Sequence, residues 1–344
     1  MVVDNNFKKA TRVDVAKLAG VSETTVSFVF SKKRYVSPNL VEKVLKVSKE
    51  IGYQPDMIAA SMVLKHTYSI AVLTSDIASP LQMEIIKGMQ ESAIEYGFFI
   101  NVCGGTKNLE RYIDNFIARR IDGVFIAASK SSVNDQYINK LLENNISVIV
   151  VSSRGFNDDR VCGLEVDFEI GMKKILQYLK SINHEKIAYV SCFDKYYVED
   201  KRLNAYYNYM KTFFNNNKPI VEMGIPPYES TIETGYELTN SLLKKTRDFT
   251  ALICSNDLMA LGAISALKDN GLKIPQDISV VGMDDILFSK IFDPKLTTIN
   301  QNAKVCGQKI FRILYKNIID KSVVCREIVE PDLVIRASTM PLEK

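Results

Sequence analysis

Residues 10–31, ATRVDVAKLAGVSETTVSFVFS, decide how the front of this 344-residue chain is read. Thr11 and, three residues on, Asp14 fit a capping box: a hydroxyl on one unpaired N–H and a carboxylate reaching back to another. Val13, Ala16 and Ala19 then recur at helical spacing. Gly20 can end that helix in the left-handed conformation, which a residue without Cβ adopts freely. Ser22 is placed to cap a second helix, about Glu23 to Phe30, with Val26 and Val29 inward and Thr24 and Phe28 on the opposite face. A third helix follows, with Ser37 as its cap, Pro38 in its first turn, an apolar stripe of Leu40, Val41, Val44, Leu45 and Ile51, and Gly52 as its stop. Two short helices around a Gly-Val-Ser turn have the helix-turn-helix layout, in which the second helix reads the DNA major groove. Three core helices of some other small bundle are the alternative.

Charge favours the first reading. Residues 1–65 hold 11 Lys and Arg against 6 Asp and Glu, whereas the remainder holds 33 against 34. The positive excess of the whole chain therefore lies in the helical head, as expected if that head alone meets phosphates. Lys8, Lys9, Arg12, Lys17, Lys32, Lys33 and Arg34 are the phosphate candidates, with a merely solvated basic surface as the alternative.

Composition narrows the rest. The chain is 47% hydrophobic and 24% charged, an ordinary globular balance. No apolar run approaches the ~20 residues of a membrane span, and MVVDNNFKKATR lacks the apolar core of a secretory signal. Six scattered Cys form no CxxC and no cluster with the two His, which favours buried reduced thiols over disulfides or zinc. A cytoplasmic protein with no metal and no cofactor is expected.

From Ser69 onward short apolar strands alternate with amphipathic helices: SIAVLT, Met83–Tyr96, FFINVC, Leu109–Arg120, GVFIAA, Asn134–Asn144 and SVIVVS. The beat resumes with Met172–Lys180, KIAYVS, Asp200–Phe214, Thr234–Lys245, ALICS, Leu258–Asn270 and ISVVGM. This is the α/β pattern of parallel sheets with helices on both faces. The strands are too many for one sheet, so two lobes of five or six strands with a crevice between them are expected. Between head and body, residues 52–66 contain one short helix starting at Pro55, with Asp56 at its positive end and Ile58, Ala59, Met62 and Val63 on one side. It is too short to hold in water alone, so it needs a second copy or DNA, and it is a candidate switch.

VDVAKLAGVSETTVS and YVSPNLVEKVLKVSKEIGYQPDMIAASM resemble the head of the lactose/galactose-repressor family of bacterial transcription regulators. DGVFIAAS (122–129), SNDLMALGAISALKDNGLKIPQDISVVGMDDI (255–286) and PKLTTINQ (294–301) resemble that family's body motifs, in the family's order. The resemblance covers the whole chain. It implies an N-terminal all-helical helix-turn-helix head, residues 1–53, a hinge, 54–66, and a two-lobed periplasmic-binding-protein-like body, 67–344. The N-lobe is expected at about 67–166 and 297–325, and the C-lobe at about 167–296 and 326–340.

The resemblance further implies a homodimer on a near-palindromic operator in double-stranded DNA. A small molecule in the cleft would decide whether the hinge helices form. Nothing supports a tetramer, since IRASTMPLEK carries no heptad tail. Glu23, Thr24, Ser27 and Phe28 fall at base-reading positions, and Thr11, Ser22, Thr25, Lys32 and Arg34 at phosphate positions. Phe28 departs from the family, where Arg or another polar residue is more usual. Phe cannot donate to guanine but can touch a thymine methyl, so thymine is expected beside it; packing in the head's own core is the alternative. Met62 stands where a Leu usually wedges between base pairs, and Met can still intercalate. Ala60 replaces a commonly basic residue, which removes one contact, and Ala59 lies on the same segment.

In the body, Arg202 matches the family Arg that reaches the effector, and Asn256 and Asp257 match a strand-end pair that also suits helix capping. Asp284 lies at the carboxyl end of a strand, where α/β ligands bind. Asp76 and Gln301 complete the candidate set. An Arg, an Asn and an Asp converging on a cleft suit a hydroxyl-rich ligand, a sugar or sugar phosphate. The family often places aromatic residues after the Pro at position 80; here Leu81 and Gln82 stand there, which disfavours a purine. Tyr196, Tyr197 or Phe288 is left to supply a stacking face, and a protein co-regulator is a further possible partner. A transport solute-binding protein shares the body fold, but should carry a signal peptide and no basic head. An enzyme is disfavoured, because the chain holds no Walker A loop, no GxSxG, no HExxH and no Cys–His pair.

Overall fold

The computed structural model describes residues 10–31, 34–54, 66–105, 108–127, 133–151, 159–193, 200–225 and 229–343. Lys8, Lys9, Lys32, Lys33, Ala59, Ala60, Met62, Tyr196 and Tyr197 lie outside them, as does most of the expected hinge. The chain divides into two compact units, 1–67 and 68–344.

In the first unit, α1 (Arg12–Ala19) begins with the expected capping box. Thr11 Oγ1 accepts from the Asp14 N–H, and the Asp14 carboxylate accepts from the Thr11 N–H at 2.9 Å. Gly20 ends it at φ 63°. Ser22 Oγ accepts from the Thr25 N–H at 3.0 Å and so caps α2 (Glu23–Ser31). In α3 (Pro38–Glu50) Pro38 takes the first turn, but the Ser37 side chain makes no capping bond. Val15, Ala16, Ala19, Val26, Val29 and Val44 form the core. Three expected core positions, Val13, Leu40 and Leu45, are instead exposed. Val15 replaces Val13, and α3 turns Val44 and Ser48 inward. A serine tolerates that site because its hydroxyl donates to the Val44 carbonyl at 2.7 Å.

The second unit contains two six-stranded sheets. In chain order its elements are β1 (Ser69–Thr74), α4 (Pro80–Glu95), β2 (Phe99–Gly104), α5 (Leu109–Ala118), β3 (Gly123–Ala127), α6 (Asp135–Glu143), β4 (Ser147–Val151) and β5 (Cys162–Val166). There follow α7 (Phe168–Ser181), β6 (Ile187–Ser191), α8 (Lys201–Phe214), β7 (Ile220–Met223), α9 (Ile232–Lys245), β8 (Ala251–Cys254), α10 (Asp257–Asp269) and β9 (Ser279–Gly282). Last come α11 (Leu287–Ile291), β10 (Thr297–Asn300), α12 (Ala303–Ile319), β11 (Arg326–Val329) and β12 (Asp332–Val334). The first sheet runs β11-β5-β4-β3-β1-β2, all parallel. The second runs β12-β10-β9-β8-β6-β7, parallel except for the β10–β12 pair. Each sheet is covered on both faces by helical side chains, giving two cores per lobe.

The lobe boundaries expected from sequence need correction. Thr297–Asn300 belongs to the second lobe's sheet and Arg326–Val329 to the first lobe's. The chain therefore crosses between lobes three times, after β5, after β10 and after β11. The second crossing runs through Gln301 and Asn302, the latter left-handed at φ 53°, before α12 packs into the first lobe's core. Among the described residues all six Cys are free thiols, four of them buried, and no helix is long and apolar enough to cross a membrane.

Candidate DNA-reading face and ligand cleft

On the head, the exposed face of α2 carries Glu23, Thr24, Ser27 and Phe28, because Val26 and Val29 take the core-facing stripe. Glu23 is not idle there: Arg12 donates to its Oε2 from Nε at 3.1 Å and from Nη2 at 3.0 Å. Both partners are about half exposed, so the pair is cheap to break on meeting DNA. Phe28 is half-buried but absent from the head core, where Phe30 packs edge-on against Tyr53 at 5.7 Å. The Arg34 guanidinium lies over the Phe28 ring at 5.5 Å. Thr11, Ser22 and Thr25 sit at the helix starts. Their hydroxyls are engaged in caps, with Ser22 and Thr25 sharing a 2.8 Å hydrogen bond.

In the body, a cleft opens at the carboxyl ends of both sheets. The first lobe supplies Ser75, Asp76, Ser79, Pro80, Leu81 and Gln82; the second supplies Ser230, Asn256, Leu258, Asp284 and Ile286. Three of the five sequence candidates, Asp76, Asn256 and Asp284, thus meet in one place. Asp76 is exposed and accepts the Ala78 N–H at 2.7 Å. Asn256 accepts the Met259 N–H at 2.8 Å, capping α10, and its amide donates to the Ser230 carbonyl at 3.0 Å. Asp284 accepts from Gln301 Nε2 at 2.5 Å. Burial, then the neighbouring Asp257, push its carboxyl well above the usual carboxylate range.

Arg202 and Gln301 stand behind this lining. Arg202 donates from Nε to Asp200 at 2.9 Å and from Nη1 to the Ser255 carbonyl at 2.7 Å, with its guanidinium 4.9 Å from the Phe168 ring. Asp200 is buried, and its Oδ2 has no hydrogen-bond partner among the described residues. Asp257, half of the expected strand-end pair, is structural. It is fully buried and accepts from Ser289 Oγ at 2.6 Å, Thr298 Oγ1 at 2.5 Å and the Ile286 N–H at 3.0 Å. Phe288 lies on α11 outside the cleft lining. Gln82 is locked by the Ala127 carbonyl and by Thr74, and Leu81 packs on the first lobe's core, so neither offers a stacking face.

Sequence reasoning missed Asp200, Phe168 and the Ser75, Ser79 and Ser230 hydroxyls. Asp200 was within reach of it: an Asp immediately before an amphipathic helix is an N-cap signal, and its side chain accepts the Arg202 N–H.

The family described as "Bacterial regulatory proteins, lacI family" matches residues 12–56. "Periplasmic binding proteins and sugar binding domain of LacI family" matches residues 67–336. The HTH-type transcriptional repressor PurR of Histophilus somni (strain 129Pt) is 34% identical over 341 residues, covering 97% of this chain and all of the relative. The PurR repressor of Yersinia pestis bv. Antiqua is 32% identical over 337 residues, covering 96% of each chain. Among solved structures, the lac repressor dimer bound to operator and the anti-inducer ONPF matches with TM-score 0.79 at 26% identity, over 97% of this chain and all of that one. The transcriptional regulator CelR–cellobiose complex matches with TM-score 0.71 at 26% identity, over 96% of this chain and all of that one.

Proposed function

The chain belongs to the LacI family of bacterial regulatory proteins, and we propose how its residues divide the work of a ligand-responsive transcriptional repressor. It is a DNA-binding regulator and not an enzyme. The α2 face with Thr24, Ser27 and Phe28 reads the major groove. Glu23 joins it when Arg12 turns to a phosphate. The cap residues Thr11, Ser22 and Thr25 offer hydroxyls to the backbone. The expected hinge, with Ala59 and Met62, presses on the minor groove.

The effector is a hydroxyl-rich molecule, a sugar or sugar phosphate, held between Asp76, Asn256 and Asp284. The observation that carries this reading is the cleft lining: three serines, two amides and two carboxylates, with Leu81, Leu258 and Ile286 and, among the described residues, no aromatic ring. Carboxylates and amides pair with neighbouring hydroxyls, and a purine would want a stacking ring. A thermal-shift screen of the full chain against sugars, sugar phosphates and nucleosides tests it. A matching ligand at 100 times its Kd stabilises by about 2.7 kcal/mol. Hits confined to purines would overturn the reading.

We place homodimer contacts on α11, a short helix whose Leu287 and Ile291 are 64% and 65% exposed, with Phe288 and Phe292 beside them. Apolar surface of this kind is ordinarily covered, and two heads on one chain pair would read the two halves of a near-palindromic operator. Leu287→Glu with Ile291→Glu is expected to give a monomer in sedimentation equilibrium and a large loss of operator affinity. A dimer of unchanged strength would move the interface elsewhere. A cytosolic location follows from this DNA-binding role.

A further inference from the structure

We propose that Cys162 and Cys325 form a reversible disulfide inside the first lobe, a modification site whose co-substrate is a low-molecular-weight disulfide. β11 pairs with β5 in parallel, from Arg326 opposite Gly163 to Val329 opposite Val166. One step back along both strands puts Cys325 opposite Cys162, and the Gly163 N–H donates to the Cys325 carbonyl at 3.0 Å. Neighbouring strands lie about 4.8 Å apart, inside the Cα separation of about 4.4–6.8 Å that a disulfide spans. Both thiols turn to one face: Cys162 is in the first lobe's core and Cys325 packs against it. On the opposite face a Cβ at Gly163 would touch Arg326 Cγ at 3.7 Å, so partners across these strands stand within side-chain contact. The other thiols are not so placed. Cys254 pairs with Val190 across β8 and β6, not with Cys192, and the Cys306 thiol donates to the Gln301 carbonyl at 3.2 Å.

The two thiols differ in access. Cys325 is half-buried and Cys162 fully buried. Burial pushes the Cys162 thiol up, opposed by the Cys325 N–H and by the charges of Arg326 and Lys321. Cys325 is therefore the thiol that a dissolved disulfide RSSR meets, and Cys162 is the one that resolves it. The Cys325 thiolate attacks one sulfur of RSSR and expels RS⁻, leaving a mixed disulfide on Cys325. Cys162 gives up its proton and attacks Cys325 Sγ, which forms the Cys162–Cys325 bond and expels the second RS⁻. Two protein thiols are oxidised, and one RSSR is reduced to two RSH. In a cytosolic chain such a bond is transient and follows the redox poise. It fastens a four-residue edge strand, β11, to β5. The chain leaves the first lobe after each of these strands, so the bond ties together the starts of two of the three crossings.

The test uses the full chain in glutathione buffers of increasing oxidised fraction, followed by acid quench, alkylation and peptide mapping by mass spectrometry. Wild type is expected to yield one intramolecular link, Cys162 to Cys325, that reduced glutathione reverses, with the other four Cys alkylated. Cys162→Ser should stop at the glutathione adduct on Cys325, and Cys325→Ser should leave Cys162 a thiol. Hydrogen exchange at the β11 amides should slow by about 10-fold in oxidised wild type and stay unchanged in oxidised Cys162→Ser. If Cys162→Ser does not fold, the wild-type map and its exchange rates decide.

A wild-type chain that keeps the glutathione adduct on Cys325 beside a free Cys162 overturns the proposal. So does a pair of unreacted thiols, or a link that forms only between chains or only in urea.

Discussion

Alanine at Gly262 is expected to cost the second lobe about 3 kcal/mol or more, a fall in Tm of about 6–12 °C. Gly262 in α10 faces α9 so closely that a Cβ there would fall on the Ile232 carbonyl oxygen, and a Cβ at Gly235 in α9 would fall on the Met259 carbonyl oxygen. The obstacle in each case is backbone, which cannot rotate aside. The helices would have to part, opening contacts around Met259, Ala260, Ala263 and Ile264 in a close-packed core. The first lobe repeats the device: Gly88 in α4 meets the Lys304 carbonyl, and Gly307 in α12 meets the Ile85 carbonyl. Gly307→Ala should therefore match Gly262→Ala in severity. Gly271→Ala is the control. It has a φ of 77° and open space around it, so it pays only conformational strain, about 1 kcal/mol. Urea and thermal melts of the three variants check the ranking. A Gly262→Ala chain as stable as Gly271→Ala would rule out the close helix contact.

These glycines show what the sequence conceals. An isolated glycine in a helical pattern, as in IIKGMQ or ALGAIS, reads locally as a weak point, and only the facing helix shows why nothing larger fits. The head was legible because its signals are local: Thr11 with Asp14, Gly20 and Ser22 each act within three or four residues. The alternation from Ser69 to Gly282 was legible because parallel strands buried on both faces are continuous apolar runs, as in SIAVLT and ISVVG.

The end of the chain was not. Thr297–Asn300, Arg326–Val329 and Asp332–Val334 are three or four residues long, and β11 and β12 are partly exposed. Their lobe is decided by long-range pairing, and the turn at Asn302 sends the chain across. In the cleft, Asp284 and Asn256 followed from the strand-end rule, because that rule depends only on topology. The anchoring of Arg202 by Asp200, Ser255 and Phe168 brings three separate segments together, and no spacing announces it.

Asparagine at Asp284 is expected to do two things at once: stabilise the ligand-free protein at neutral pH and weaken effector binding about 10- to 100-fold. The first follows from burial. An unfolded Asp releases its proton near pH 3.9, but the folded site holds the proton to a pH well above the usual carboxylate range. The unfolded chain therefore loses its proton first. Wild-type stability falls as pH rises from about 4 through the raised folded value, and is level beyond it. Asparagine keeps the shape and can still accept from Gln301 Nε2, but it does not titrate, so that decline with pH disappears. The second effect follows from the bound state: an effector hydroxyl that donates to Asp284 favours its ionised form, and a hydrogen bond to an ionised group contributes about 1.5–3 kcal/mol that a neutral amide does not supply.

Gln301, the partner of Asp284, is followed directly by Asn302, the turn that carries the chain out of the second lobe and into α12 of the first. An effector hydroxyl that draws on the Asp284 carboxylate thus changes a hydrogen bond at a lobe crossing, which is where a change in lobe arrangement has to be absorbed. The D284N variant should for that reason keep operator binding while losing its response to effector. Thermal melts from pH 4 to 8, with and without ligand, together with operator titrations, separate the two effects. A variant with the wild-type ligand shift would remove Asp284 from the effector site. A variant with the wild-type pH profile would mean that the buried carboxyl ionises as readily as an exposed one.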